Sequence, residues 1–264
     1  GNIIARGGDV VLIAPSVEVA QTAVVQAPGG SVVLAAGHRV EVTGRGLEGI
    51  SMQVQAPTDQ AINLGTLKGD AVGIFAGTLK HSGLIQANTA SLEGGKVVLK
   101  ATGDTYVQGN GQIMATSAQG KGGHVEVLGK RVAVTDNAVV DASGATGGGT
   151  VLVGGDFQGT NAAVQNATVT YFGADAVLKA DAIGNGDGGK VIVWADDTTR
   201  GLGTITARGG QTGGDGGMVE VSGKNNLAFA AKVDTRAPNG RKGTLLLDPL
   251  NITIGVVADI DGNG

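Results

Sequence analysis

Valine recurs behind pairs of glycine along the whole chain. The tetrapeptide Gly-Gly-x-Val begins at Gly7, Gly29, Gly94, Gly122, Gly148, Gly188 and Gly216. The spacing is similar throughout except for two long intervals, Gly29 to Gly94 and Gly148 to Gly188. A weaker copy starts at Lys242-Gly243-Thr244-Leu245. Two residues after each valine stands a second aliphatic residue: Leu12, Leu34, Leu99, Val127, Val153, Val193 or Val221. The position between them accepts Glu126 and Glu220. Glutamate is tolerated there only if its side chain faces water. The alternation is therefore the period-two pattern of a strand with one buried face.

Two more short strands follow in each unit. The second is Val17-Glu18-Val19, Val40-Glu41-Val42 or Val132-Ala133-Val134. The third reads aliphatic-x-Ala, as in Val25-Gln26-Ala27, Ile85-Gln86-Ala87, Val140-Asp141-Ala142, Leu178-Lys179-Ala180 and Ile205-Thr206-Ala207. Gly, Asn, Ser or Asp then turn the corner. Three such strands and their corners need about 22–28 residues. The interval from Gly29 to Gly94 accordingly reads as three units, and that from Gly148 to Gly188 as two. A meander of hairpins gives no reason for each strand type to occur once per unit. Stacking like strands on like predicts an all-β fold, a right-handed parallel β-helix. It is a three-sided solenoid of roughly ten coils, about 50 Å long at the usual strand spacing. The glycine pairs are expected to supply positive φ and close backbone approach.

Composition agrees with this pattern. Glycine contributes 49 of 264 residues, but there are only 5 prolines and no triplet period, which excludes collagen. Hydrophobic residues make up 41% of the chain and mean hydropathy is +0.14, against simple disorder. Aromatics are only 3%, as suits a narrow aliphatic interior. A net charge of −4 without a basic run argues against a nucleic-acid partner, and no apolar run is long enough to span a membrane. With no cysteine, stacking must supply the core alone. The first residues, Gly1 to Arg6, do not resemble a signal peptide and begin mid-pattern. Residues 1–264 are accordingly expected to be one β-helical segment of a longer protein.

The runs Asp141–Gly155, Gly186–Thr198 and Gly243–Ile254, which include Asp248-Pro249-Leu250-Asn251, resemble those of filamentous-haemagglutinin-like exoproteins, the secreted partners of two-partner secretion systems. The resemblance implies a β-helical shaft, a secreted or cell-surface location, and a role in adhesion, aggregation or biofilm. It also implies export by an outer-membrane barrel transporter. The Asn-Pro-Asn motifs of that family's secretion domain do not occur here, and Asp248-Pro249 is the single Asx-Pro pair. Transporter recognition is therefore expected through an N-terminal domain outside this segment, which would lie downstream of it.

Candidate chemistry is sparse. Asp196 and Asp197, with Lys190 or Arg200, could serve a polysaccharide lyase or hydrolase, but they lack a third partner, and His38, His81 and His124 fall in different units. A hydrogen-bonding corner explains them as well, and no enzyme activity is expected. Gly184-Asn185-Gly186-Asp187-Gly188-Gly189 resembles one calcium-binding nonapeptide without its tandem repeat, so a glycine-rich corner is the better reading. Asp259, Asp261 and Asn263 match the first ligands of a calcium loop, giving Ca2+ as a candidate cofactor, with a polar turn as the alternative. Phe157, Tyr171 and Phe172 lie inside the long interval between Gly148 and Gly188, where exposed rings could stack on a host-surface or matrix polysaccharide. Two ordinary coils are slightly favoured over an outward bulge for that interval.

Overall fold

The structure, a computed structural model, describes residues 1–37, 39–42, 47, 50–53, 59–88 and 94–250. It is a parallel β-helix whose coils present three strand faces. Face one carries the Gly-Gly-x-Val strands, stacked in register so that Val10, Val32, Val72, Val97, Val125, Val151, Val191, Val219 and Leu245 form one column. That column counts nine rungs among the described residues. Face two stacks Val17, Ala61, Leu79, Thr105, Val132, Thr170, Thr199 and Leu227. Face three stacks Ile3, Val25, Leu67, Ile85, Ile113, Val140, Leu178, Ile205 and Val233. The aliphatic-x-Ala triplets are thus the third strands, as expected from their spacing. The strands Val24–Ala36 and Thr66–Ala76 run round the corner from face three to face one and fuse those faces into one sheet.

The inward side chains of all three faces form a single apolar column, mostly valine, leucine, isoleucine and alanine. Alternation puts these residues inside, because every second side chain points to the axis. Face two admits polar groups that find partners. The hydroxyls of Thr105, Thr170 and Thr199 donate to the carbonyls of Leu128, Trp194 and Ser222 at 2.7, 2.6 and 2.7 Å. Each thus ties its coil to the end of the next coil's face-one strand. His81, fully buried, sits above Asn63; its Nδ1 accepts from Asn63 Nδ2 at 3.1 Å, and its Nε2 donates to the Gln112 carbonyl at 3.1 Å.

Three expectations from the sequence are corrected. The interval from Gly29 to Gly94 is two steps, Val32 to Val72 and Val72 to Val97, rather than three coils. Its excess lies in an excursion in which Arg39–Val42 pairs antiparallel with Ile50–Gln53, so Val40-Glu41-Val42 belongs to a hairpin and not to face two. The interval from Gly148 to Gly188 is one step rather than two coils, because Val151 pairs directly with Val191. The surplus bulges out between Val153 and Val169. Spacing alone could not distinguish a lost glycine pair from an insertion.

The glycine pairs work mainly by close approach. A methyl group added at Gly122, Gly148 or Gly188 would land on the carbonyl oxygen of Ala142, Ala180 or Ala207, the alanine that ends a third strand one coil on. The second glycine's amide closes the same corner within its own coil: Gly123, Gly149 and Gly189 donate to Ala115, Ala142 and Ala180 at 2.7, 2.8 and 2.7 Å. Among the seven pairs, positive φ is confined to the first two, at Gly7 (77°) and Gly29 (74°).

Candidate functional site

The outward side of face one is where the chain departs from a plain solenoid. Its outward positions are apolar and exposed at Val11 and Ile13, and apolar but covered in two further places. Val33 and Val98 pack with Ala71 and Phe75 under Leu47. Leu152, Ile192 and Trp194 pack under Phe157 and Val164 of the bulge. The ends of that bulge meet, since Ala167 N donates to the Gly154 carbonyl at 2.6 Å. Its middle is a single 3-10 turn, Phe157–Gly159.

The bulge is held by four anchors. Asp156 pairs with Lys190 Nζ at 2.9 Å and accepts from Phe157 N and Asn161 Nδ2 at 2.7 and 2.9 Å. Burial alone would raise the Asp156 carboxyl, but the hydrogen bonds from Asn161, Lys190 and Phe157 outweigh it and hold the pKa down to about 2. Gln158 takes a left-handed φ of 52°, which aims its amide at Glu220 Oε2 at 3.1 Å and lets its side chain reach Asp248 at 3.3 Å. Gly159 lies flat on the Trp194 indole, where a Cβ would strike the ring. Asn166 bridges the Gly159 carbonyl and Asp196 at 2.8 and 3.0 Å.

Glu220 is the residue that the sequence pattern misplaces. It points outward as expected, yet it is fully covered rather than solvated. Its Oε1 has no hydrogen-bond partner among the described residues, and burial pushes its carboxyl pKa up. Glu126, the other outward glutamate, does reach solvent and accepts from His124 Nε2 at 2.7 Å. No signal within the repeat separates the two, because their difference comes from a segment distant in sequence, around Gln158.

The candidate residues fall as follows. Phe172 is 0% exposed and is the largest side chain of the core, so its ring cannot meet a sugar. Tyr171, its neighbour, faces outward, with the Arg200 guanidinium 5.9 Å from its ring centroid. Phe157 is partly buried against the Trp194 cluster. The three aromatics therefore do not form one surface. Asp196 accepts from Trp194 Nε1 and Asn166 Nδ2, both at 3.0 Å; Asp197 accepts from Asn225 Nδ2 at 3.0 Å and Thr198 Oγ1 at 3.3 Å. Lys190 is engaged by Asp156 and Arg200 by Tyr171, so neither forms an ion pair with these acids. In the Gly184–Gly189 run, Gly186 N and Gly188 N donate to the carbonyls of Gly213 and Asp215 at 2.8 and 2.9 Å, as corner ladder bonds. His38 and the calcium candidates Asp259, Asp261 and Asn263 lie outside the described residues. No helix among the described residues is long and apolar enough to cross a membrane.

Coils in register, a shared aliphatic axis and excursions packed on one outer face define the class: a parallel β-helical solenoid. Among solved structures, the chain is similar to the HMW1 secretion domain from Haemophilus influenzae, with a TM-score of 0.77 and 31% identity over 94% of this chain. It spans 64% of the length of that structure. The likeness is thus to a secretion domain, whereas the family resemblance in the sequence implies a shaft downstream of one. No family model matches the chain, and no curated protein does.

Proposed function

We propose that the chain is a non-catalytic β-helical segment of a secreted bacterial surface adhesin of the two-partner secretion type. It extends the protein from the cell surface and serves adhesion, aggregation or biofilm. The observation that carries this reading is the uninterrupted register of face one over nine rungs around one core. Such a stack resists bending because every coil is hydrogen-bonded to the next along its strands. The likeness to the HMW1 secretion domain supports export of this kind, with an outer-membrane barrel transporter as partner. The non-catalytic part rests on Asp196 and Asp197, whose carboxylates are engaged by Trp194, Asn166, Asn225 and Thr198.

Incubating the protein with a panel of neutral and acidic polysaccharides and assaying for new reducing or unsaturated ends tests this reading. No depolymerisation is expected. Cleavage that disappears in Asp196→Asn or Asp197→Asn would overturn it.

A further inference from the structure

The outward side of face two carries a second feature. Lys80, Tyr106, Ala133, Tyr171 and Arg200 pair in register on consecutive strands and so form one outward column. Their strand neighbours Leu79, Thr105, Val132, Thr170 and Thr199 are buried, which fixes the column on the outside. The order along the rod is a cation, a ring, a methyl group, a ring and a cation. Lys80 and Arg200 are exposed, and Tyr106, Ala133 and Tyr171 are partly so. Both rings are held in place. Tyr106 Oη donates to Asp104 Oδ2 at 3.0 Å, and Arg131 Nε and Nη2 fork that carboxylate at 2.7 and 2.6 Å. The Arg200 guanidinium lies over the Tyr171 ring, 5.9 Å from its centroid.

Spacing selects what this column fits. The tyrosines stand two rungs apart, about 9.6 Å at the usual strand spacing. A polyproline II chain repeats every three residues, at about 9.3 Å. An extended strand repeats the side chains of one face every ~6.8 Å, and an α-helix repeats every ~5.4 Å, so neither matches. Lys80 and Arg200 stand four rungs apart, about 19 Å, the span of roughly six residues of polyproline II. The chemistry of the surface points the same way. The Tyr106 hydroxyl, Asp104 and Arg131 bond one another rather than facing a sugar's hydroxyls. Proline rings need no hydrogen-bond partners and dock in aromatic-lined surfaces. Rings that are already ordered lose little entropy on binding.

We propose that the outer surface of face two is a docking strip for a proline-rich polypeptide in the polyproline II conformation, running along the rod. Prolines three residues apart seat on Tyr106 and Tyr171, and the chain between them passes over the small side chain of Ala133. Acidic side chains at the two ends of the docked segment meet Lys80 and Arg200. Docking of this kind and a stiff rod coexist, and depolymerisation assays do not bear on it.

Fluorescence anisotropy of a labelled oligoproline titrated with the whole chain tests this, the peptide carrying glutamates about 19 Å apart at its ends. Saturable binding is expected. A glycine-serine peptide of the same length and charge should bind at least about tenfold more weakly, since it has neither the rings nor the preformed conformation. Tyr106→Ala and Tyr171→Ala should each weaken binding about three- to tenfold, the scale of one aromatic contact. Tyr171→Phe keeps the ring and should bind as the native chain does. Lys80→Glu combined with Arg200→Glu should reverse the preference, toward an oligoproline flanked by lysines. All four positions lie outside the core, and unchanged far-ultraviolet dichroism checks that the coils remain. No saturable binding, equal binding of the glycine-serine peptide, or binding indifferent to both tyrosines would overturn the proposal. So would binding of heparin or dextran that depends on the tyrosines while the oligoproline stays silent, which would make the strip a glycan site.

Discussion

Two neighbouring strands of face one show how a single side chain's position sets its tolerance. Val153 is fully buried on the axis, whereas Glu126 stands outward on the preceding strand. Val153→Asp would bury an unpaired charge and should cost about 3 kcal/mol or more. Glu126→Lys loses only a surface contact with His124 and should stay within about 0.5 kcal/mol. Thermal melts of the two variants check this, and equal losses would mean that the register is wrong. His81 makes a second residue-scale prediction. Desolvation by burial lowers its pKa from 6.5 to about 4, against the opposing bonds to Gln112 and Asn63. The unfolded chain therefore binds a proton that the folded one refuses between those values. Its contribution is present above pH 6.5 and is lost as the pH falls toward 4, a difference of about 3 kcal/mol. Denaturant midpoints measured from pH 7 to pH 4 should fall through this window, and His81→Asn should flatten the profile there. Asp104, Asp156, Asp215 and Asp234 have lowered pKa values, so their contributions are lost only at still lower pH.

The bulge between Val153 and Val169 is the element whose removal is most informative. Its ends already share a hydrogen bond, from Ala167 to Gly154. Excising residues 155–166 should therefore leave the coils paired while uncovering Leu152, Ile192 and Trp194. Exposing those side chains should cost a few kcal/mol, on the scale of about 1.5–3 kcal/mol for each large apolar group. Part of the loss is offset because Glu220 regains water. The expected signature is a lower melting temperature with unchanged far-ultraviolet dichroism and a red shift of Trp194 emission, Trp194 being the single tryptophan. Unshifted emission would mean that the bulge does not cover the face. Glu220→Gln in the intact chain should have the opposite sign. The folded pKa of Glu220 is raised, so its ionisation at pH 7 opposes folding. Neutralising it should hold or raise the melting temperature at pH 7 and change little at pH 4.

At the scale of the molecule, the nine described rungs of face one, spaced about 4.8 Å apart, extend over roughly 40 Å. Its stability is a sum over neighbouring coils, so damage to one coil should weaken its neighbours first. The expected behaviour in the cell follows from the proposed role. A fusion placing this chain behind a two-partner secretion domain should be exported through the matching transporter, and the unfused chain should not be. Export of the unfused chain, measured in culture supernatant, would locate transporter recognition within these coils, as the likeness to a secretion domain allows.

The solenoid follows from the sequence alone. Period-two alternation marks which side chains face the axis, and the Gly-Gly-x-Val recurrence marks where most coils begin, since only glycine fits where Ala142, Ala180 and Ala207 present their carbonyls. These are local or next-coil effects, repeated often enough to be read directly. What happens outside the coil depends on tertiary packing. The intervals Val32 to Val72 and Val151 to Val191 are single steps carrying excursions, and nothing in their length separates that from a degenerate coil. Glu220 and Glu126 share one place in the pattern, but Gln158 and its neighbours fold over only the first. Phe172 and Tyr171 are adjacent in sequence, and the strand's phase sends one ring into the core and the other outward. Lys80, Tyr106, Tyr171 and Arg200 belong to different coils, and stacking sets them in one outward column. Repetition makes the core legible position by position. The outer surface is assembled from segments that meet only when the coils stack, so its sites have no local pattern to read.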